Sequence, residues 1–179
     1  MIRSKTSEPE CNTRGKGEDE YDFTEESVAG KTVVIGMGNR YMKDDGVGIE
    51  IADELEHRFL GENVLVRTCR TVDLTLLAHY GGASKLIIVD ATVSGEPPGT
   101  ISRYEIVPSK APLFSLPGLH ALQLHDMLDV ACQMGLLACP VIMIGIEPKD
   151  CGGGEGMSGE LAEVMPRVLS EVIREIGRT

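Results

Sequence analysis

Two carboxylates and one imidazole are the side chains of this sequence best placed to do chemistry together. Asp45 ends the pair Asp44-Asp45 in the loop GNRYMKDDG, Asp90 follows the apolar run LIIV, and His120 begins a predicted helix. Two neighbouring carboxylates repel each other unless a cation or a proton lies nearby. With the imidazole they would form a three-ligand site with an open position, and nickel and zinc both accept such oxygen and nitrogen donors. These residue types therefore predict a divalent metal site with room for a substrate.

The elements that must position these side chains follow from the pattern after Lys31, where short β-branched runs alternate with amphipathic helical stretches. Repeated units of this length predict a three-layer, doubly wound α/β fold with a mostly parallel sheet. Only about ten residues join Asp90 to the fourth strand, too few for a parallel crossover, so that strand is predicted to be antiparallel at an edge. The predicted strands are Thr32–Met37, Val64–Cys69, Leu86–Val89, Ile101–Val107 and Val141–Ile146.

Four helices are predicted between and after these strands. The first carries Val47, Ile51, Leu55 and Phe59 on one face, and the second is short, with Asp73 as its N-cap. The third runs from about Leu119 to Gly135, and the fourth is a long helix that starts at Ser158 and carries its last apolar residue at Ile176.

In a sheet of this kind ligands bind at the carboxyl ends of the strands. Asp45 and Asp90 both follow such ends, and the third helix must begin at the same edge to lead into the last parallel strand. His120 at its start is therefore a better ligand candidate than His125, which lies about 7.5 Å further down the helix on another face. The alternative for Asp44 and Asp45 is helix capping, but one cap needs only one acid.

Composition excludes several classes of function. The net charge is -11, with 17 basic and 28 acidic residues, so a nucleic acid backbone would be repelled. The first residues lack the apolar stretch of a signal peptide and no run approaches the length of a membrane span, so we expect a cytoplasmic protein with no membrane partner. Five cysteines without a CxxC pair fit neither a disulfide framework nor a structural zinc site.

Residues 1–30 are acid-rich and are predicted to form a disordered tail, followed by one domain over 31–179.

A nucleotide-binding alternative is weak. Gly36-x-Gly38 after the first strand suggests a dinucleotide fingerprint, but the third glycine and the spacing are missing, and an acidic loop would repel a pyrophosphate. A flavodoxin-like nucleotide binder is therefore disfavoured.

Four segments, in order and with their spacing kept, resemble the hydrogenase maturation endopeptidases over most of residues 31–179. They are VVIGMGNRYMKDDGVG at 33–48, KLIIVDATVSGEPPGT at 85–100, HALQLHDML at 120–128, and IGIEPKD followed by GMSGEL at 144–161. The resemblance implies a protein that removes a short C-terminal extension from the large-subunit precursor of a [NiFe] hydrogenase after nickel insertion.

The resemblance also implies site residues. The nickel, brought by the precursor, would be recognised by Asp45, Asp90 and His120, and zinc or cadmium could substitute for it in vitro. Asn39, Asp44, Arg70 and Asp73 are expected around this site or against the substrate. One departure stands out: where the family has a glycine-rich DGGT-type stretch, this sequence reads Cys69-Arg70-Thr71-Val72-Asp73. Arg70 therefore favours a second hypothesis, a metal-dependent binding protein that has lost turnover.

Overall fold

The structure, a computed structural model, describes residues 27–58, 60–106 and 119–178, and for residues 119–123, 125 and 126 it describes the backbone alone. It contains five strands, four α-helices and a 3-10 helix, Lys43–Gly46, that leads directly into α1. The strands are β1 (Thr32–Met37), β2 (Val64–Cys69), β3 (Lys85–Ala91), β4 (Ile101–Ile106) and β5 (Val141–Ile146). The helices are α1 (Val47–Glu56), α2 (Leu74–Tyr80), α3 (Leu119–Gln133) and α4 (Gly159–Ile176).

The five strands form one sheet in the order β2-β1-β3-β5-β4. Strands β1, β2, β3 and β5 are parallel, and β4 pairs antiparallel with β5 at the edge. The predicted fold class and the antiparallel edge strand are thus confirmed. Because the chain runs from β1 outward to β2 and then returns past β1 to β3, the strand order reverses between β1 and β3. Such a switch point opens a crevice at the carboxyl ends of the strands.

Two apolar cores cover the two faces of this sheet. Alternate strand residues, among them Leu86 and Ile88 of β3, pack with α2 and α3 in one core. Ile87 and Val89 of the same strand face the other way and pack with α1 and α4. The side-chain alternation of a strand produces this division, since successive residues point to opposite faces. Asp90 lies two residues after Ile88 in β3, so its side chain points to the same face of the sheet, the face covered by α2 and α3.

The structure changes several predicted boundaries. Strand β3 is longer than predicted and includes Asp90, which pairs with Gly145 inside the ladder and does not merely close the strand. The first helix ends at Glu56, and Phe59 of its predicted face lies outside the described residues. Residues 1–26 of the predicted tail also lie outside the described residues. Val28 is described, and it packs against the core that the sheet forms with α2 and α3. The folded domain therefore begins before Lys31.

None of the helices in the described part of the chain is both long enough and apolar enough to cross a bilayer.

Candidate active site

The loop that carries Asp45 is held close to the sheet by glycines. A Cβ atom on Gly38 would lie 1.8 Å from the backbone oxygen of Asp45, and Gly38 has a φ of 139°, a conformation that other residues rarely adopt. The Asp45 carbonyl also accepts a hydrogen bond from the Asn39 N–H at 3.3 Å. Gly48 lies similarly close to the Val89 and Met37 carbonyls. Gly36, Gly38 and Gly48 all lie where a Cβ atom would clash with neighbouring backbone. Close backbone packing therefore explains the Gly36-x-Gly38 pattern without a bound phosphate.

Asp44 points to a different place from its neighbour. It is 0% exposed, and its two carboxylate oxygens accept hydrogen bonds from the backbone N–H groups of Lys149 and Asp150 at 2.9 Å and of Ser158 at 2.7 Å. Burial opposes ionisation of Asp44, but these N–H groups outweigh it and lower the pKa of the carboxyl. Neither the 3-10 helix nor α1 has a side-chain cap. The alternative in which Asp44 caps the first helix is therefore wrong, because this carboxylate binds the segment between β5 and α4.

Further contacts join the same two segments. The Lys43 N–H donates to the Gly154 carbonyl at 3.0 Å, and the Gly154 N–H donates to the Tyr41 carbonyl at 2.8 Å. The Lys43 ammonium group forms an ion pair with Asp150 at 2.5 Å. Lys43 is the one non-glycine residue in the described ranges with a positive φ, 48°. The loop between β1 and α1 is thus fixed along its length.

Asp90 is buried at the carboxyl end of β3, with 5% of its surface exposed. Burial, and after it the charge of Asp45, raise its pKa to about 7. A carboxyl whose pKa lies near neutrality takes up a proton easily, and a cation beside it would displace that proton. The electrostatic effect of Asp45 on Asp90 places the two predicted ligands near each other.

Asp45 and Asp90 line one cavity of about 150 Å³. Arg70 and Thr71, from the segment after β2, form part of the same wall, and apolar side chains from β1 and α3 complete it. The lining residues are Met37, Gly38, Asp45, Arg70, Thr71, Val72, Asp90, Leu124 and Met127. Arg70 therefore lines the same cavity as the two acids, together with apolar side chains.

His120 lies in the first turn of α3, but its side chain is outside the described part of the chain. Its position precedes Leu124 by four residues and Met127 by seven, the spacing of one helix face. Both of those residues line the cavity. Among side chains that the structure describes, no three His, Cys, Asp or Glu groups are arranged to hold a metal ion. Asp45 and Asp90 alone are therefore an incomplete ligand set, and the role of His120 stays a prediction.

The thiols near the acids are not suited to nucleophilic attack. Burial, followed by the charges of Asp90 and Asp73, raises the pKa of Cys69 to about 12. Burial, followed by the charges of Asp45 and other acids, raises the pKa of Cys151 to about 11. Since the thiolate is the reactive form, both cysteines are protonated and unreactive at neutral pH. A cysteine-type mechanism at this site is disfavoured.

Two of the surrounding residues predicted from sequence have local backbone roles. The Asn39 side chain accepts a hydrogen bond from the Tyr41 N–H at 3.0 Å, and Asp73 caps α2 by accepting from the Leu76 N–H at 2.8 Å. Neither lines the cavity. Sequence reasoning missed Glu147, which is 6% exposed directly after β5. The rule that selected Asp90, an acid at the carboxyl end of a buried strand, would have selected it too.

Glu147 fixes the loop after β3 through hydrogen bonds to a buried carboxylate, as Asp44 fixes the loop after β1. Its carboxylate accepts from the Ser94 N–H at 2.7 Å, the Ser94 hydroxyl at 2.5 Å and the Gly95 N–H at 3.0 Å. Burial opposes its ionisation, but the donors from residues 94–96 outweigh this and lower its pKa. The segment after Asp90 is therefore fixed by a second buried carboxylate.

Comparison with known proteins gives a consistent result. The family model HycI, hydrogenase maturation protease, matches residues 49–175. Hydrogenase expression/formation protein HoxM of Cupriavidus necator is 30% identical over 146 residues, covering 80% of this chain and 70% of HoxM. The hydrogenase maturating endopeptidase HybD of Escherichia coli superposes with a TM-score of 0.70 at 27% identity, over 82% of this chain and 94% of that one. The [NiFe] hydrogenase maturation protease HybD of Thermococcus kodakarensis gives 0.63 at 25% identity, over 83% and 99%.

The family match covers most of the domain, and the solved relatives share its sheet and helices. Asp90 lies within the residues that the family model matches, and Asp45 lies four residues before them. The chain therefore belongs to the hydrogenase maturation protease family, and it is an endopeptidase.

Proposed function

We propose that this endopeptidase removes the C-terminal extension of a [NiFe] hydrogenase large-subunit precursor that already contains nickel, and that Asp45, Asp90 and His120 recognise the metal. The observation that carries the proposal is that Asp45 and Asp90 line one cavity, where burial and mutual repulsion raise the pKa of Asp90 to about 7. Two acids in this arrangement favour a cation between them. The relatives that match the chain are named for hydrogenase maturation or for hydrogenase expression and formation, which suggests the class of substrate.

The nickel in this scheme is part of the substrate. It would bridge the precursor and the two carboxylates, with the imidazole of His120 as a third donor from the start of α3. Oxygen and nitrogen donors from three separate elements leave one side of the ion for the precursor. A precursor without nickel would lack this bridge, so recognition would report that the metal has been inserted.

Hydrolysis would follow from the position of the scissile bond beside the ion. A water polarised by the cation would attack the peptide carbonyl carbon, a carboxylate oxygen would accept one proton of that water, and this proton would pass to the leaving amine as the C–N bond breaks. The protonated thiols of Cys69 and Cys151 are poor nucleophiles, which is consistent with water as the nucleophile in this scheme.

The test is cleavage of a nickel-loaded large-subunit precursor by wild-type protein and by Asp45→Asn. This substitution keeps the volume and removes the charge that meets the cation, so cleavage should be lost. Asp53→Asn is the matched control, because Asp53 is a half-exposed acid of α1 that pairs with Arg40. Cleavage by Asp45→Asn at the wild-type rate would refute metal recognition by this loop.

A second matched pair addresses the histidine. His120→Ala should abolish cleavage and His125→Ala should not, since position 125 lies off the helix face shared by Leu124 and Met127. The reverse result would show that the wrong histidine was chosen. Binding of the nickel-loaded precursor by wild-type protein without cleavage would support the hypothesis of a binding protein that has lost turnover.

A further inference from the structure

The two loops that flank the cavity expose apolar side chains. Tyr41 is 53% exposed and Met42 37% exposed in the loop before Asp45, and Val93 is 60% exposed three residues after Asp90. These three are half of the large hydrophobic residues exposed in the described part of the chain. The loops follow β1 and β3, which are adjacent in the sheet, and both lie at its carboxyl edge.

The charged side chains of the same loop are engaged within the protein. Arg40 forms surface ion pairs with Glu50 at 2.7 Å and with Asp53 at 2.5 Å on α1. Lys43 pairs with Asp150, and Asp44 is fully buried against backbone N–H groups. The loop therefore presents exposed apolar side chains beside a cavity while these charges already have partners in the same chain, and such a surface suits the binding of another protein.

Both loops are also fixed before any partner arrives. Asp44 and Glu147 each accept hydrogen bonds from backbone groups of another segment, and the Gly154 N–H holds the Tyr41 carbonyl. An exposed aromatic residue on a rigid support loses little conformational freedom when it is covered, so it can contribute strongly to affinity.

We infer that Tyr41, Met42 and Val93 form a docking surface for an apolar segment of the protein substrate next to the scissile bond. This inference rests on the proposed function, since it takes the precursor as the occupant. A second copy of this chain is a poorer occupant, because each copy carries a charge of -11 and would close the cavity it flanks. Tyr41 lies four residues before Asp45 and Val93 lies three residues after Asp90, and both acids line the cavity, so the surface adjoins the site proposed for the scissile bond.

The test compares the double variant Tyr41→Ser/Val93→Ser with Ile173→Ser. Ile173 is a 37% exposed residue of α4 outside the loops and the cavity, so its substitution removes a similar exposed apolar group elsewhere. Cleavage of the nickel-loaded precursor is measured over a range of concentrations. The double variant should raise KM by roughly tenfold or more, the effect expected for loss of an aromatic anchor, with kcat little changed. Nickel binding by calorimetry should be unchanged, which shows that the cavity is intact.

Each result decides the matter. An unchanged KM in the double variant refutes the docking surface while leaving the proposed function standing. A raised KM with weakened nickel binding refutes it too, because the effect would then come from the site. Failure of the wild-type protein to bind or cleave the precursor overturns both proposals. If sedimentation shows a wild-type dimer that the double variant dissociates, the occupant is a second copy and the inference is wrong.

Discussion

Asp44→Asn is the substitution whose effect the structure defines most sharply. One Asp44 oxygen accepts from the N–H groups of Lys149 and Asp150, and the other accepts from that of Ser158. Asparagine keeps one acceptor oxygen and replaces the other with an NH2 group, so at least one buried N–H would face another donor. The conservative substitution is therefore expected to disturb the structure, contrary to what a capping role would give.

The magnitude follows from these contacts. A hydrogen bond to a charged group contributes about 1.5–3 kcal/mol, and the remaining bonds weaken when the acceptor becomes neutral. We expect Asp44→Asn to lower the free energy of unfolding by about 2–4 kcal/mol at pH 7. Because the pKa of Asp44 is lowered in the folded state, its stabilisation is present above the unfolded pKa and is lost as the pH falls through the folded value. The difference between wild-type and variant should therefore shrink below roughly pH 4.

The assay is urea unfolding at pH 7 and at acid pH, with Asp45→Asn as the matched neighbour. Asp45→Asn should change the free energy of unfolding by less than about 1 kcal/mol, or raise it by relieving the repulsion with Asp90. If Asp44→Asn also changes it by less than about 1 kcal/mol, the three hydrogen bonds do not hold the two segments together and the reasoning fails.

Three further predictions follow from the same features. Asp90→Asn should be more stable than wild-type at pH 8 and similarly stable at pH 4. The pKa of Asp90 is raised to about 7 in the folded state, so its ionisation destabilises the fold as the pH rises from the pKa of the unfolded state through 7. Thermal unfolding at the two pH values tests this, and equal melting temperatures at pH 8 would contradict it. Nickel, zinc and cadmium should bind weakly, at roughly micromolar affinity or worse, because three ligands with an open position make an incomplete cage. Calorimetry should show binding fading below about pH 7 as Asp90 is protonated. Undiminished binding in His120→Ala would show that the ligand is another residue. Removal of residues 1–26 should change the free energy of unfolding by less than about 2 kcal/mol, since this acid-rich segment has little apolar surface to bury. Removal of residues 1–28 also removes the core contact of Val28 and should cost more. A loss of more than about 2 kcal/mol on removal of residues 1–26 alone would mean that this segment packs on the domain.

Most of the fold could be predicted because its signals are local. The run TVVIGM gives β1 with its observed bounds, and the short connection before β4 predicts its antiparallel direction. Asp90 was selected by position alone, as an acid at the end of an apolar run. Its place inside the ladder opposite Gly145 was missed, because pairing at a strand end depends on the neighbouring strand.

The roles of Asp44 and Glu147 could not be predicted in the same way. The partners of Asp44 are 105 to 114 residues away in sequence, and those of Glu147 are 52 and 53 residues away. No periodicity or spacing near either acid reports such distant backbone donors. The sequence pattern assigns one of the two adjacent acids to helix capping, whereas the structure has no side-chain cap at that helix and Asp44 binds the distant segment.

The long sequence separation of the Asp44 contacts also bears on the order in which the protein can become active during synthesis. Strands β1, β2 and β3 and both cavity acids are translated within the first 91 residues. The segment that Asp44 binds, however, ends at Ser158, at the start of the last helix. Contacts of such high contact order form only after the intervening chain is available. A nascent chain that has not reached Ser158 therefore has both acids but lacks the contacts that support the Asp45 loop, so peptidase activity should begin only after Ser158 has been synthesised.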